Sequence, residues 1–363
     1  MTVERDIAGF ALPFAAGIMA VSFFGTAHSW YLTPVSILVP AVAAVLLMSP
    51  AHKSWNTGIL TGLILLAALG CGYLVGATRL EISVGITTEN SIPERILQLG
   101  HGMKSRIEAI PFSHHDTGSI IAALITGDRT GIPHDVTRAF RESGAAHILA
   151  LSGFHLGIIY GALSFMLSFI GNTPAARKLR SVLIIAICGM YTAATGAGAS
   201  ITRAFLFILL GETASIMGRH RCTSTILLSS LFLQLLLSPE SSRDIGFQLS
   251  YAAMAGIAFI FPWMKGLWPD GKGGIMKRIW NSASISVSCQ ITTGPLAWMY
   301  FGTFPQYFLL TNLLALPLVG VLIPLSLLTM GLDAAGICPQ LLIQVVEGLT
   351  SCMTFILEAI ASL

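Results

Sequence analysis

Stretches of about 20 mostly apolar residues recur along nearly the whole chain, and that is the length an α-helix needs to cross the hydrocarbon core of a bilayer. About eleven can be marked, at 7–24, 32–49, 58–77, 148–170, 181–196, 200–217, 222–238, 245–263, 280–300, 307–330 and 339–361. Lipid offers no hydrogen bonds, so each segment must satisfy its own backbone, and a helix does so within itself. The expected fold is all-α, a polytopic integral membrane helical bundle of about eleven spans. Hydrophobic residues make up 54% of the chain and charged residues 10%, with a mean hydropathy of +0.77, values foreign to soluble domains. No separate soluble enzyme domain fits between the spans. Pro13, Pro295, Pro317 and Pro324 fall inside spans, where neighbouring groups can satisfy the backbone they free.

The net charge of +3 says little, but the placement of Lys and Arg says more, because cytoplasmic loops keep positive charge during insertion. Arg177, Lys178 and Arg180 lie in one loop, Arg219 and Arg221 in the loop two spans later, and Lys265, Lys272, Lys277 and Arg278 two spans later again. The intervening connections hold only Arg243. Alternation then puts the N-terminus and these basic loops in the cytoplasm and the long segment 78–146 outside. Glu4-Arg5-Asp6 leads straight into an apolar stretch without a basic start or a small-residue cleavage site, so the first span is expected to be retained. Three regions follow: N-terminal membrane spans over 1–80, an extracytoplasmic segment with amphipathic helices over 81–146, and a membrane domain over 147–363.

Within the outer segment, Ser91-Ile92-Pro93-Glu94 reads as a helix start, and Ile92, Ile96, Leu99, Met103, Ile107 and Ile110 recur at helical spacing. An amphipathic outer helix is expected, either along the membrane surface or against other helices. Cys71, Cys188, Cys222, Cys289, Cys338 and Cys352 show no C-x-x-C spacing and read as small packing residues.

From Ile121 to Gly157 glycines and polar groups interrupt the apolar background. Gly127-Asp128-Arg129-Thr130-Gly131 comes first, then Phe140-Arg141-Glu142-Ser143-Gly144, then His147-Ile148-Leu149-Ala150-Leu151-Ser152-Gly153-Phe154-His155. Further along stand Thr202-Arg203-Ala204, Gly246-Phe247-Gln248-Leu249-Ser250-Tyr251, and Asn312-Leu313-Leu314-Ala315-Leu316-Pro317-Leu318-Val319. Taken in order over about 200 residues, these motifs resemble the competence domain of the ComEC family of bacterial DNA-uptake proteins. The resemblance implies a multi-pass protein of the bacterial inner (plasma) membrane, a channel that passes single-stranded DNA into the cytoplasm during natural transformation. It implies single-stranded DNA, membrane lipid, other competence proteins and a separate nuclease as partners, and it leaves the oligomeric state open. The OB-fold and the metallo-β-lactamase-like domain of longer members find no counterpart here. The stretch from Thr78 to Ser91 is too short for a barrel, and no H-x-H-x-D-H-like cluster follows the last span.

Candidate residues follow from charge and placement. Arg203 within an apolar span belongs in the bundle interior, or else snorkels from the end of its helix. His147, Ser152, Gly153, His155, Gln248 and Asp244 read with it as a pore or polar network, with a broken or re-entrant helix at Leu151-Ser152-Gly153. Asp128, Arg129, Arg138 and Arg141 are candidates for DNA contact, although Asp135 and Glu142 dilute a phosphate track. Phe140, Phe154 and Tyr251 read as packing residues before stacking platforms. His147 and His155 lack a ligand set or an orienting carboxylate, so no catalytic, metal or cofactor site is expected, and His114-His115-Asp116 is too small a cluster to change that. The competing reading is a secondary transporter or permease for a small solute, which broken helices and an intramembrane Arg203 would also suit, but no internal repeat supports it. A hydrolase would need more than Ser152 and His155.

Overall fold

The computed structural model describes residues 11–21, 65–73, 75–76, 94–171, 173–219, 222–268, 274–302 and 306–363. Among them there is no β-strand, and the chain divides into two compact units. The expected span at 32–49, nearly half of 58–77 and the Ser91 helix cap lie outside the described residues. Among the described residues five helices are long and apolar enough to cross a membrane, which does not confirm the expected count of about eleven.

The first unit comprises 1–90 and 220–258. Its helices are α1 (Ala11–Val21), α2 (65–73 and 75–76), α10 (Thr223–Leu237) and α11 (Ile245–Ala255). Helices α1 and α2 cross backbone to backbone at Gly17 and Gly72: a Cβ on Gly17 would meet the Leu69 carbonyl, and one on Gly72 would meet that of Phe14. Gly76, one turn beyond Gly72, lies over Ile18 and Val21. This is small-xxx-small packing, which works in lipid because dispersion and close approach replace the hydrophobic drive between helices.

The second unit comprises 91–219 and 259–363. It opens with α3 (Glu94–Ala109), α4 (His115–Thr126), α5 (His134–Glu142) and α6 (Ala146–Leu149). The long helices follow: α7 (Gly153–Leu167), α8 (Pro174–Ala194), α9 (Ala199–Ile216), α13 (Ile275–Phe301), α14 (Phe308–Ala334) and α15 (Gln340–Ala361), with short α12 (Phe261–Gly266) before α13. The helix expected from the spacing of Ile92 to Ile110 is present as α3. Ile107 and Ile110 are buried and Met103 packs on the core, whereas Leu99 is 50% exposed. Ile120 to Ile125, Val136 and Phe140 from the segment before His147 share one core with Leu156, Ile184, Ile201, Val319 and Val346 from the long helices.

Two features qualify the spans marked in the sequence, the first of them at the break expected at Leu151-Ser152-Gly153. The stretch 148–170 is not one helix, because α6 stops at Leu149, the backbone is extended at Ala150 and Ser152, and α7 starts at Gly153. The stretch 245–263 runs on to Gly266 through a π-helical turn at Gly256–Ile260. Helices α8 and α13 cover the expected spans 181–196 and 280–300 almost fully. Neither is among the five helices both long and apolar enough to cross, since α8 begins with Arg177, Lys178 and Arg180 and α13 carries a hydroxyl-rich run from Asn281 to Thr293.

Candidate functional site

The break between α6 and α7 is where the glycine-bearing and polar motifs of the second unit meet. Helix α4 ends at Gly127 in the left-handed region (φ 80°), and its N–H closes the helix on the Ala123 carbonyl at 2.9 Å. A side chain there would be strained and would press on Leu151, whose Cβ lies 3.0 Å from where a new Cβ would stand. The loop that follows is pinned to the break: Arg129 Nε–H donates to the Leu149 carbonyl at 3.2 Å. From the other side α14 arrives, with the Thr311 hydroxyl donating to the Ser143 carbonyl at 2.6 Å and Asn312 beside His147. His147 Nδ1–H donates to the Gly144 carbonyl at 3.1 Å, a local bond that fixes its tautomer, and the side chain is exposed.

Helix α7 starts with a reciprocal cap. The Ser152 side chain serves the backbone of His155, while the Ser152 N–H donates to His155 Nδ1 at 3.3 Å. Ser152 Oγ lies 3.0 Å from the same nitrogen. His155 thus stands where Glu or Gln stands in an ordinary capping box. The ring is fully buried and its Nδ1 already accepts a backbone N–H, so the pair acts as a helix cap. Gly153, the first residue of α7, lies against α9: a Cβ on it would come 3.1 Å from Ala204 Cβ.

Helices α7, α8 and α9 form the frame behind this junction. Gly153 faces Ala204 and Tyr160 bonds to Glu212, so α7 and α9 run parallel. Ser181 bonds to Glu212 and Gly189 faces Phe205, so α8 runs opposite to both. Arg203, beside Ala204, is 2% exposed and Glu212 likewise 2%. The Glu212 carboxylate accepts from Tyr160 Oη at 2.9 Å and from Ser181 Oγ at 2.6 Å, tying three helices with one buried acid. The basic start of α8 and Arg219 after α9 fall at the same end of this hairpin.

On the loop side, Asp128 is held by Lys104 of α3. Lys104 Nζ–H donates to Asp128 at 2.7 Å and also to the Thr130 hydroxyl, while Thr130 donates to Asp128 through its N–H at 2.8 Å and its hydroxyl at 2.7 Å. These bonds, that from Lys104 foremost, hold the Asp128 carboxyl down at about 2, and the same pairing raises Lys104. A polar cleft of about 170 Å³ opens here, lined by Gly100, His101, Lys104, Thr126, Asp128 and the Thr195-Gly196 turn between α8 and α9. Arg138 and Arg141 are exposed on one side of α5, whose other side buries Val136, Ala139 and Phe140, and exposed Asp135 and Glu142 sit on the same helix.

The structure therefore brings Asp128, Arg129, His147, Ser152, Gly153 and His155 to one junction, with Arg203 beside Ala204 in the helix packed on it. Asp244 and Gln248 belong to the first unit. There Asp244 caps α11 by accepting from the N–H of Gly246 at 3.3 Å and of Phe247 at 2.9 Å, and Gln248 Nε2–H donates to the Ser242 carbonyl at 2.9 Å. Phe140 and Tyr251 are buried, and Phe154 is 39% exposed. Among the described residues no three His, Cys, Asp or Glu side chains gather as a metal site. Lys104, Tyr160 and Glu347 were not singled out by sequence. Glu347, buried in α15, accepts from the His114 N–H at 2.5 Å. A carboxylate inside an apolar run was its available signal, whereas Lys104 sits on a polar helix face among other charges and gave none.

Comparison with known proteins adds the family. ComE operon protein 3 of Bacillus subtilis is 32% identical over 137 residues, 38% of this chain and 17% of that protein. The uncharacterized protein YcaI of Escherichia coli is 21% identical over 224 residues, 60% of this chain and 29% of that protein. An uncharacterized protein of Aquifex aeolicus is 26% identical over 216 residues, 58% of this chain and 47% of that one. The matched stretch thus spans less than half the length of each of these relatives. No solved structure matches. The family model described as Competence protein matches residues 124–363, from the end of α4 through α15 and across every motif of the junction, and the chain belongs to that family.

Proposed function

We propose that the chain forms part of a plasma-membrane channel that passes single-stranded DNA into the cytoplasm during natural transformation, working with other competence proteins and a separate nuclease. The observation that carries this is the family match over 124–363, together with the likeness to ComE operon protein 3. The N-terminus and the ends marked by Arg177 to Arg180 and Arg219 then face the cytoplasm. The segment 81–146 faces outward, with Asp128, Arg129, Arg138 and Arg141 on the side from which DNA arrives. Arg203, His147, Ser152, Gly153 and His155, with Asp244 and Gln248 from the first unit, are the polar groups assigned to the path or to its framework. A catalytic role is assigned to none of them, since Ser152 and His155 are engaged in capping α7.

The test is transformation of a deletion strain with labelled DNA, separating DNA bound at the surface from DNA protected inside. Surface binding at the normal level with entry reduced by several powers of ten is the expected result. Unchanged entry would refute the channel reading. If entry is normal while accumulation of a small solute is lost, the buried Arg203 and Glu212 belong to a carrier instead.

A further inference from the structure

Helices α12 and α13 meet at a corner whose outer surface is both apolar and basic. In the first turns of α13, Ile275, Met276, Lys277, Arg278 and Ile279 are all exposed. Five consecutive helical residues go more than once around the axis, so exposed side chains stand on every side of this turn. Ile275 is 76% exposed and Met276 59%; on α12 and just after it, Trp263 is 67% and Leu267 55% exposed, with exposed Lys265 between them. The corner is nevertheless a built structure. Trp280 Nε1–H donates to the Met264 carbonyl at 3.2 Å, the Trp268 and Trp280 rings lie 5.8 Å apart, and the Ser288 hydroxyl reaches Met264 Sδ at 3.3 Å. Lys265, Lys277 and Arg278 form no ion pair among the described residues.

Water does not suit a helical turn that exposes Ile275, Met276 and Ile279 along one side, and a purely apolar environment does not suit Lys265, Lys277 and Arg278. A bilayer interface containing anionic lipid suits both. Trp rings settle at headgroup depth, apolar side chains enter the acyl region, and Lys and Arg face lipid phosphates. The corner is also placed for this, because the apolar segment Ile245–Gly266 ends at it. We propose that the α12–α13 corner is a binding site for an anionic phospholipid, with Lys265, Lys277 and Arg278 on the headgroup and Trp263, Ile275 and Met276 among the acyl chains. This assignment is independent of whether the chain conducts DNA.

The experiment uses the purified chain, offered an equimolar mixture of phosphatidylglycerol and phosphatidylcholine with matched acyl chains, and counts the retained lipids by native mass spectrometry. Phosphatidylglycerol should be retained in preference. Each cation near an anionic surface contributes about fivefold to such a preference, so Lys265→Gln, Lys277→Gln and Arg278→Gln together should lower it on the order of a hundredfold. Trp263→Ser with Ile275→Ser should keep the headgroup preference and lower retention of both lipids. Equal retention of the two lipids by the native chain, or an unchanged preference in the triple glutamine variant, overturns the assignment. So does displacement of the retained phosphatidylglycerol by a single-stranded oligonucleotide that the triple variant no longer binds, which would give the corner to nucleic acid. All three cations are exposed, so their replacement leaves the packing intact, and the serine pair provides a second readout.

Discussion

Asp128 and Glu212 are two acids of this chain with opposite surroundings, and each carries a different kind of stabilisation. Asp128 lies at the surface with its charge held by Lys104 and Thr130, and its carboxyl sits at about 2. Its ordinary value is 3.8, so the folded state binds its proton less readily than the unfolded one. The stability it contributes is therefore complete above about pH 4 and fades as the pH falls toward 2. Limited proteolysis of α3 should accordingly be unchanged between pH 5 and 8, and Asp128→Asn should speed it across that whole range. Equal protection in the variant would show that Lys104 does not tether α3 through Asp128. Glu212 instead sits inside the frame, where removing an acceptor strands two hydroxyls. Each stranded group costs about 1–3 kcal/mol, so Glu212→Ala should lower the melting temperature in detergent markedly, while Glu212→Gln, which keeps an acceptor oxygen, should lose less. Equal melting of both variants would deny the carboxylate its role as a three-helix tie.

At the scale of elements, the start of α7 sets the geometry of the second unit. Helices α7 and α9 run parallel and come close at Gly153, where an added Cβ would stand 3.1 Å from Ala204 Cβ. Gly153→Ala should destabilise by about 1–3 kcal/mol through overpacking, and Ala204→Gly in the same chain should recover most of that loss. A thermal-unfolding double-mutant cycle measures this directly, and additive losses would mean that the two residues do not oppose each other. The residue opposite Gly153 is absent from any reading of α7 alone. The sequence does place a break here, through Ser152-Gly153 in an apolar run. It does not say that a histidine would take the place of the usual acid in the cap, because a buried ring at that position depends on the surrounding core.

For the whole molecule, orientation in the membrane is the property on which the channel reading depends. Ser113 and Thr173 are both exposed in the structure, so a thiol at either site is limited only by which side of the membrane it faces. In a chain freed of its native cysteines, Ser113→Cys should react with an impermeant reagent on intact cells and Thr173→Cys should react only after the membrane is opened. The reverse pattern would invert the topology and put Asp128, Arg129, Arg138 and Arg141 on the cytoplasmic side.

The sequence by itself determined the helical, membrane-spanning character, because a backbone in lipid has few ways to satisfy its hydrogen bonds and long apolar runs record that constraint residue by residue. It also marked the motifs around Gly127, Ser152, Arg203 and Asn312 as places where an apolar pattern is interrupted. Only the tertiary structure decided which of these meet. Arg129 reaches Leu149, Thr311 reaches Ser143 and Gly153 reaches Ala204, whereas Asp244 and Gln248 serve the first unit. Local periodicity reports which side of a helix is apolar. It carries no information about the partner helix, and that pairing comes from close packing between residues far apart in the chain.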